Sequence, residues 1–531
     1  MNEGTSEADG PEPGQVLAAI DIGTNSFHLV VARSTGPAAF EVIAREKEVV
    51  RLGSGSGDMK RLAPEAIERG IEALSRLCRI AEIAGAPVRA IATSAVREAD
   101  NRAELVRRAR EEAGVDVEVV SGVEEARLIH LGVLQDVAVA GARLLLIDIG
   151  GGSTEFVVGE GTEVLAARSL KLGAIRLTER FFAEEPVSEG QVQRCRVHVR
   201  AYLGPVVREV ASHGFEVAVG SSGTILSVAE MARQRRGGSR RAPGTTTFTT
   251  DELAQVVAAL VAAPTVKQRL KVPGLEARRA DIIVGGAVLL EEAARALGIT
   301  EMRVSDYALR EGLVLDTLQR ASPSSSVIGE GTTDIRARSV RRLSRLCSEE
   351  VEHAERSRVL ALELFDATTD LHGLGGQPRE LLGAAALLAN VGLAISHDRH
   401  HLHSYYVIRH AEHLRGFTER EVELIAQVAR YHRKSVPKAK HDAFAALSPQ
   451  DQHWVRVLAG ILRIAIALDR SHAGVVRGLR GHHQGGSLVV ELDVGGDPSL
   501  ELYTADERKG LLEDALGVEV RLVAPSVTMA S

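Results

Sequence analysis

Two stretches of the 531-residue chain repeat one chemical text. Residues 20–31 read IDIGTNSFHLVV and residues 147–158 read IDIGGGSTEFVV, offset by 127 positions with seven identities in twelve. Each reads as a buried strand ending on an aspartate, a tight glycine turn, and a second strand paired back on the first. Glycine at 23, 150, 151 and 152 lets backbone N–H groups approach an anion. Thr24, Asn25, Ser26, Ser153 and Thr154 add hydroxyl and amide donors. Such donors suit phosphate oxygens, and two matched loops facing one another would clasp one phosphate from both sides. Asp21 and Asp148 repel phosphate directly. They become useful when a divalent cation or a nucleophilic water lies between carboxylate and phosphate. A single loop of this kind reads equally well as a plain hairpin turn; the matched second copy tips the balance toward a site.

Other segments carry the same kind of chemistry. Gly220-Ser-Ser-Gly-Thr224 follows the apolar run FEVAVG and enters a helix expected over 225–233, where Gly220, Ser222, Gly223 and Thr224 would meet an anion at a helix N-terminus. DIIVGGAVLLEEAARAL is read as a strand passing through Gly285-Gly286 into a helix, its glycines serving either an anion or close packing. In AIATSAVREADN a strand ends at Thr93-Ser94, and Arg97 one turn later is a candidate phosphate clamp. Its bland alternative is a surface pair with Glu98 or Asp100. VEVVSGVEEARLIHLGV places Glu124 and Glu125 at the start of a helix, about 100° apart, so at most one faces a cleft. The other would cap the helix or face solvent. A carboxylate near bound phosphate is a natural base for orienting water.

These residues need a scaffold. With 45% hydrophobic and 25% charged residues the chain is of ordinary globular composition, and its length calls for several domains. A net charge of −7 argues against a general nucleic-acid binder. No apolar run approaches membrane-spanning length, and the acidic start is unlike a signal peptide. Cys78, Cys195 and Cys347 form no disulfide framework or zinc motif, so a cytoplasmic location is the expectation. Strands alternate with amphipathic helices before residues 322–333, SPSSSVIGEGTT, which read as a linker. The expected order is a disordered tail over 1–15, one α/β lobe over 16–137 and a second over 138–321, with the helix near 306–320 packing back on the first. After the linker come a helical domain over 334–480, with helices at 338–369, 380–393, 419–433 and 451–468, and a small αβ appendage over 481–531. SLVVELDV, LELYT and VEVRLV are read as strands of that appendage, with a helix over 506–516.

DIGTNSFHLVV, TSAVREADN, SGVEEARLI, IDIGGGSTEFVVG and GSSGTI, in this order, resemble the exopolyphosphatase and guanosine-pentaphosphate phosphohydrolase family over roughly residues 16–320. The resemblance implies two actin-like lobes around a cleft, of the ribonuclease H-like superfold shared with sugar kinases and Hsp70-type ATPases. It implies Mg2+ or Mn2+, a homodimer, and removal of terminal phosphate from inorganic polyphosphate or, alternatively, from the 5′ end of pppGpp. Carried over by position, the catalytic glutamate that orients water falls on Glu125, and only the resemblance chooses it over Glu124. The metal-linked residues fall on Asp148 and Glu155. A kinase or chaperone of the same superfold and a non-enzymatic polyphosphate or alarmone sensor are the readings from other classes.

Residues 353–472 resemble the HD-like helical module of longer family members. His353 and Asp469 fit its first and last ligand positions, but the His-Asp dipeptide position reads Ala389-Asn390. Alanine cannot ligate and an amide is a poor ligand, so no HD-type metal centre is expected. His397, His400, His401 and His403 are read as hydrogen-bonded imidazoles. Arg430, Arg433, Lys434, Lys438 and Lys440 are a candidate track for a polyphosphate chain.

Overall fold

The computed structural model describes residues 14–36, 39–53, 60–137, 141–237, 246–321, 335–347, 350–411 and 414–524. The expected tail lies outside the described residues up to position 13, and the expected linker lies outside them entirely. The chain divides into two compact units, 1–330 and 331–531.

Short apolar runs, nearly continuously buried in the central strands, build two sheets in the first unit. The first contains β1 (Val16–Ile22), β2 (Ser26–Gly36), β3 (Ala39–Val49), β4 (Val88–Ala92) and β5 (Val117–Val119), in the order β3-β2-β1-β4-β5. The second contains β6 (Arg143–Ile149), β7 (Thr154–Glu160), β8 (Glu163–Leu170), β9 (Val217–Ser221), β10 (Thr247–Thr249) and β11 (Glu301–Val304), in the order β10-β11-β9-β6-β7-β8. In both, three antiparallel strands are followed by parallel partners, β1 beside β4 and β6 beside β9. These are the two lobes of an actin-like fold. The 127-residue repeat is therefore a repeat of architecture: β1 and β2 pair with Asp21 opposite His28, and β6 and β7 pair with Asp148 opposite Glu155.

Two helices pack in the seam between the sheets. Gly122–Val133 and Leu309–Ala321 share a buried cluster with β1 and β2 on one side and with β6 and β7 on the other, including Ala19, Val30, Leu128, Leu146, Val157 and Leu313. They cross at glycine on glycine. A Cβ on Gly132 would stand 2.1 Å from the Ala308 carbonyl oxygen, and one on Gly312 would stand 1.8 Å from that of Leu128. Only glycine permits so close a backbone approach.

The second unit packs helices Ile335–Cys347, Val351–Ala367, Gly376–Leu388, His400–His410, Glu419–Arg430 and Pro449–Ala467 around one apolar core, beside a three-stranded sheet. That sheet comprises β12 (Val476–Gln484), β13 (Ser487–Val494) and β14 (Glu519–Val523), in the order β12-β13-β14. No helix among the described residues is long and apolar enough to cross a membrane.

Two local expectations are corrected. LELYT lies in the helix Ser499–Asp506, not a strand, because Glu501 and Ala505 are buried one turn apart while Leu500 and Tyr503 face outward. Glu501 accepts a hydrogen bond from the Ser471 amide at 3.0 Å, an anchor that no local pattern announces. Gly285 and Gly286 lie inside the helix Ile283–Ala296, with no strand before it. They serve packing: a Cβ at Gly286 would press to 2.6 Å from Thr224 Cγ2.

Candidate active site

The two repeated loops close by the same hydrogen bond. Gly23 N–H donates to the Ser26 carbonyl at 3.2 Å, and Gly150 N–H donates to that of Ser153 at 3.0 Å. A Cβ at Gly23 would lie 2.9 Å from the carbonyl oxygen of Ser26, so the turn leaves no room for a side chain there. The loops face each other at their tips, where a Cβ on Gly151 would meet Thr24 Cβ at 3.2 Å. Between them opens a cavity of about 450 Å³.

The cavity wall contains Gly23, Thr24, Asn25 and Ser26 from one loop, and Gly150, Gly151 and Ser153 from the other. Ser222, Gly223 and Thr224 join it from the start of the helix Ser222–Arg235, which begins earlier than the expected position 225. Asp21, Glu125 and Asp148 also line it. Thr24 Oγ1 and Ser94 Oγ are 2.9 Å apart, tying the first loop to the end of β4. Ser26 Oγ is buried without a hydrogen-bond partner, a hydroxyl with spare capacity.

Five expected site residues stand elsewhere. Gly152 is absent from the wall, and its carbonyl accepts from Arg176 Nε at 2.9 Å. Thr154 is fully buried and spends its hydroxyl on the Leu172 carbonyl at 2.7 Å. Gly220 is a packing glycine in β9, where a Cβ would meet Met302 Sδ at 2.6 Å. Glu155 sits behind the wall, accepting from Ser169 Oγ at 2.8 Å. Arg97 does not line the cavity either. Its Nη1 donates to Glu125 Oε2 at 2.8 Å and to the Val120 carbonyl at 2.9 Å. The guanidinium thus engages a buried carboxylate and a backbone carbonyl.

Glu124 is neither cap nor solvent-facing. It is buried and bonded by Arg127 Nε and Nη2 at 2.9 and 2.7 Å, while Arg127 also reaches Asp316. Asp316 in turn takes Arg89 Nη1 at 2.8 Å and Arg320 Nε at 2.8 Å. This buried network locks the helix that presents Glu125 to the helix Leu309–Ala321.

The buried carboxylates act on one another. Burial raises Asp21 to about 7, with Glu125 and Asp148 adding repulsion and Arg310 opposing it. Burial raises Asp148 to about 6, against a hydrogen bond from Ser221 and with repulsion from Glu125. Glu125 is raised by burial against the attraction of Arg97, and Glu155 well above its ordinary value by burial, Glu125 and Asp148. His28 is held neutral by burial and by Arg310, whose Nη1 lies 3.1 Å from His28 Nδ1. Asp21 Oδ1 is buried without a hydrogen-bond partner among the described residues.

Several wall residues escaped the sequence reading. Lys47, Arg279 and Arg310 bring positive charge to the cavity, neutral His28 lies in the same wall, and Ser221 bonds Asp148. They come from five separate segments. Lys47 shares a face with His28 through the register of β2 and β3, which no local pattern announces.

In the second unit, Asp469 accepts from His353 Nδ1 at 2.7 Å, from Arg356 Nε at 3.1 Å and from the Gly474 amide at 3.2 Å. Ala389 is buried at the dipeptide position. His400 and His432 place their Nε2 atoms 3.4 Å apart. Among the described residues no group of three or more His, Cys, Asp or Glu side chains is arranged to hold a metal ion. Of the proposed track, Lys434, Lys438 and Lys440 are exposed. Arg430 instead packs on the rings of Tyr405 and Tyr431, and Arg433 Nη1 lies 3.2 Å from His400 Nδ1.

Two actin-like lobes that close glycine-serine-threonine loops and buried carboxylates around one cavity define a phosphate-handling cleft. Residues 30–321 match the Ppx/GppA phosphatase family, and residues 335–480 match domain III of the Ppx/GppA phosphatases. The chain belongs to the Ppx/GppA phosphatase family. It is similar to the exopolyphosphatase of Cytophaga hutchinsonii, with 31% identity and a TM-score of 0.54, covering 58% of this chain and 98% of that one. An exopolyphosphatase-like protein is 29% identical with a TM-score of 0.52, covering 58% and 99% respectively.

Proposed function

We propose that this phosphatase is an exopolyphosphatase, releasing terminal orthophosphate from inorganic polyphosphate by attack of water, with pppGpp as the alternative substrate. The observation that carries this reading is the position of Glu125, a buried carboxylate in the wall of the cavity that both donor loops share. The terminal phosphate lies between the loops, its oxygens held by the N–H groups and hydroxyls of residues 23–26, 150–153 and 222–224. Glu125, gripped by Arg97, holds an attacking water by hydrogen bonding and accepts its proton as the new P–O bond forms. The bridging oxygen of the broken anhydride leaves with the shortened chain.

The carboxylates fit a divalent cation. Asp21 Oδ1 is an orphaned buried acceptor, and Asp21 and Asp148 are destabilised as anions by burial and by their negative neighbours. Asp21 and Asp148 would hold Mg2+ or Mn2+, with Glu155 behind them; such an ion takes one or two carboxylates and completes its shell with water and phosphate oxygens. When bound it neutralises charge on the phosphates. The test is phosphate release from long polyphosphate, pppGpp and ATP in parallel, with Mg2+ and after EDTA. Fastest release from polyphosphate, abolished by EDTA, supports the reading; release from pppGpp alone replaces the substrate; release from none refutes it.

A further inference from the structure

The duplicated scaffold presents one cross-strand row of side chains in each lobe, and the two rows differ in charge. On β6, β7 and β8, Asp148 stands opposite Glu155, and Glu155 opposite Ser169. On β1, β2 and β3, Asp21 stands opposite His28, and His28 opposite Lys47. Directly paired residues project from the same face of a sheet. The repeated aspartate therefore continues into Glu155 in one lobe, and into neutral His28 and then the cation Lys47 in the other.

The row of Lys47 is reinforced from elsewhere in the chain. Arg310 reaches His28 from the helix Leu309–Ala321. Arg279 arrives from the turn Ala277–Arg279 and lies over Gly223, where a Cβ would stand 1.4 Å from its Nη2. Arg278 and Arg279 share one carboxylate, Glu276, at 2.9 and 3.4 Å. Lys47 has no carboxylate within ion-pair distance among the described residues. Cations gathered from three segments into a partly buried wall repel one another unless an anion lies among them.

We propose that Lys47 is a specificity-determining residue: it holds the phosphate of the leaving group, next to the phosphoryl group between the loops, and selects linked phosphates over a single phosphate. This rests on the hydrolytic reading above, whose terminal phosphate fixes which phosphate comes next. The charged groups acting on Lys47 are Arg279, Arg278, Arg310 (itself 3.6 Å from Glu311) and Glu276, with neutral His28 opposite it on the neighbouring strand. Burial, then Arg279 and Arg278, lower Lys47 to about 8, against a small opposing pull from Glu276. In the free protein Lys47 thus keeps its proton at pH 7 and gives it up above about pH 8. A bound polyanion holds that proton on, so the Lys47 contribution to affinity is full below about pH 8 and weakens above it.

The experiment is calorimetric binding of imidodiphosphate, whose P–N–P bridge resists hydrolysis, and of methylphosphonate as a single-phosphate control. Lys47→Met is expected to weaken imidodiphosphate binding about 10–100-fold, the range of one charge-assisted hydrogen bond, and to leave methylphosphonate within about threefold. Lys47→Arg, charged at every working pH, keeps wild-type affinity at pH 7 and loses the decline between pH 8 and 9.5. Lys47→Met binding both ligands like wild type, or weakening both equally, overturns the proposal, as does a decline retained in Lys47→Arg. Lys47-dependent binding in a chain that releases no phosphate from any substrate would overturn the hydrolase reading and leave the Lys47 assignment standing.

Discussion

Replacing Arg97 with glutamine separates a clamp on phosphate from a holder of the base. Arg97 Nη1 lies 2.8 Å from Glu125 Oε2, and both side chains are largely buried, so solvent screens the pair weakly. Opposite charges about 4 Å apart at an effective dielectric near 20 attract by about 4 kcal/mol, which at about 1.36 kcal/mol per pH unit is about three pH units. Water and side-chain relaxation in the variant reduce this to about one to three. The sign follows from burial. Glu125 is already raised above an ordinary glutamate, the active form is the carboxylate, and activity is lost as pH falls through its pKa. Without Arg97 that pKa rises further, so the acid limb of the kcat profile moves to higher pH. The assay is phosphate release at saturating polyphosphate from pH 5 to 10. Arg97→Gln should lose about tenfold for each pH unit of displacement on the acid side and recover toward wild type at the alkaline end. An unmoved acid limb with a raised KM at every pH would refute the holder role and restore the direct clamp.

Three further perturbations probe the frame around the site. Gly312→Ala places a methyl 1.8 Å from the Leu128 carbonyl oxygen; overpacking should cost about 1–3 kcal/mol in denaturant unfolding and lower kcat by shifting the helix of Glu125. Asp316→Asn breaks the buried network around Arg127 and Arg89, and with Glu124 and Glu118 still present the cost should fall toward the lower end of about 3–5 kcal/mol. Those guanidinium groups, with Arg320, hold the Asp316 carboxyl far below its ordinary value despite burial. Its contribution is therefore full above about pH 4 and fades as pH falls, and unfolding curves should show wild type and variant converging in acid. Gly223→Ala displaces the guanidinium of Arg279, a flexible group, so stability should change by less than about 1 kcal/mol while imidodiphosphate affinity falls in calorimetry.

What could be read from the sequence was local and repeated. The Asp-Ile-Gly turns at 21–23 and 148–150 are written in residue types that permit little else, and their second copy pointed to two lobes. The strands read as ending at Thr93-Ser94 and at Ser121-Gly122 end one or two residues earlier, at Ala92 and Val119, and the helix carrying Glu125 follows as read. What could not be read was the partner of each side chain across the fold. No sequence pattern says that Glu125, 28 positions on, folds back onto Arg97. Thr154 and Gly220 carry residue types that suit phosphate, but tertiary packing spends them on Leu172 and Met302. Lys47, Arg279 and Arg310 lie in segments with no motif, and only sheet register and helix placement bring them to one wall. LELYT was misread because its buried positions are set by a contact with Ser471 rather than by hydrophobicity.

The central claim is that Glu125 directs water at a phosphate held between the two loops. Single-turnover hydrolysis of polyphosphate in 18O-labelled water, by wild type and by Glu125→Gln, tests it most directly. The account predicts one solvent oxygen in each phosphate released by wild type. It predicts a rate about 10²–10⁴-fold lower in the variant with polyphosphate binding largely kept. Near-normal turnover by Glu125→Gln, or released phosphate without solvent oxygen, would contradict it.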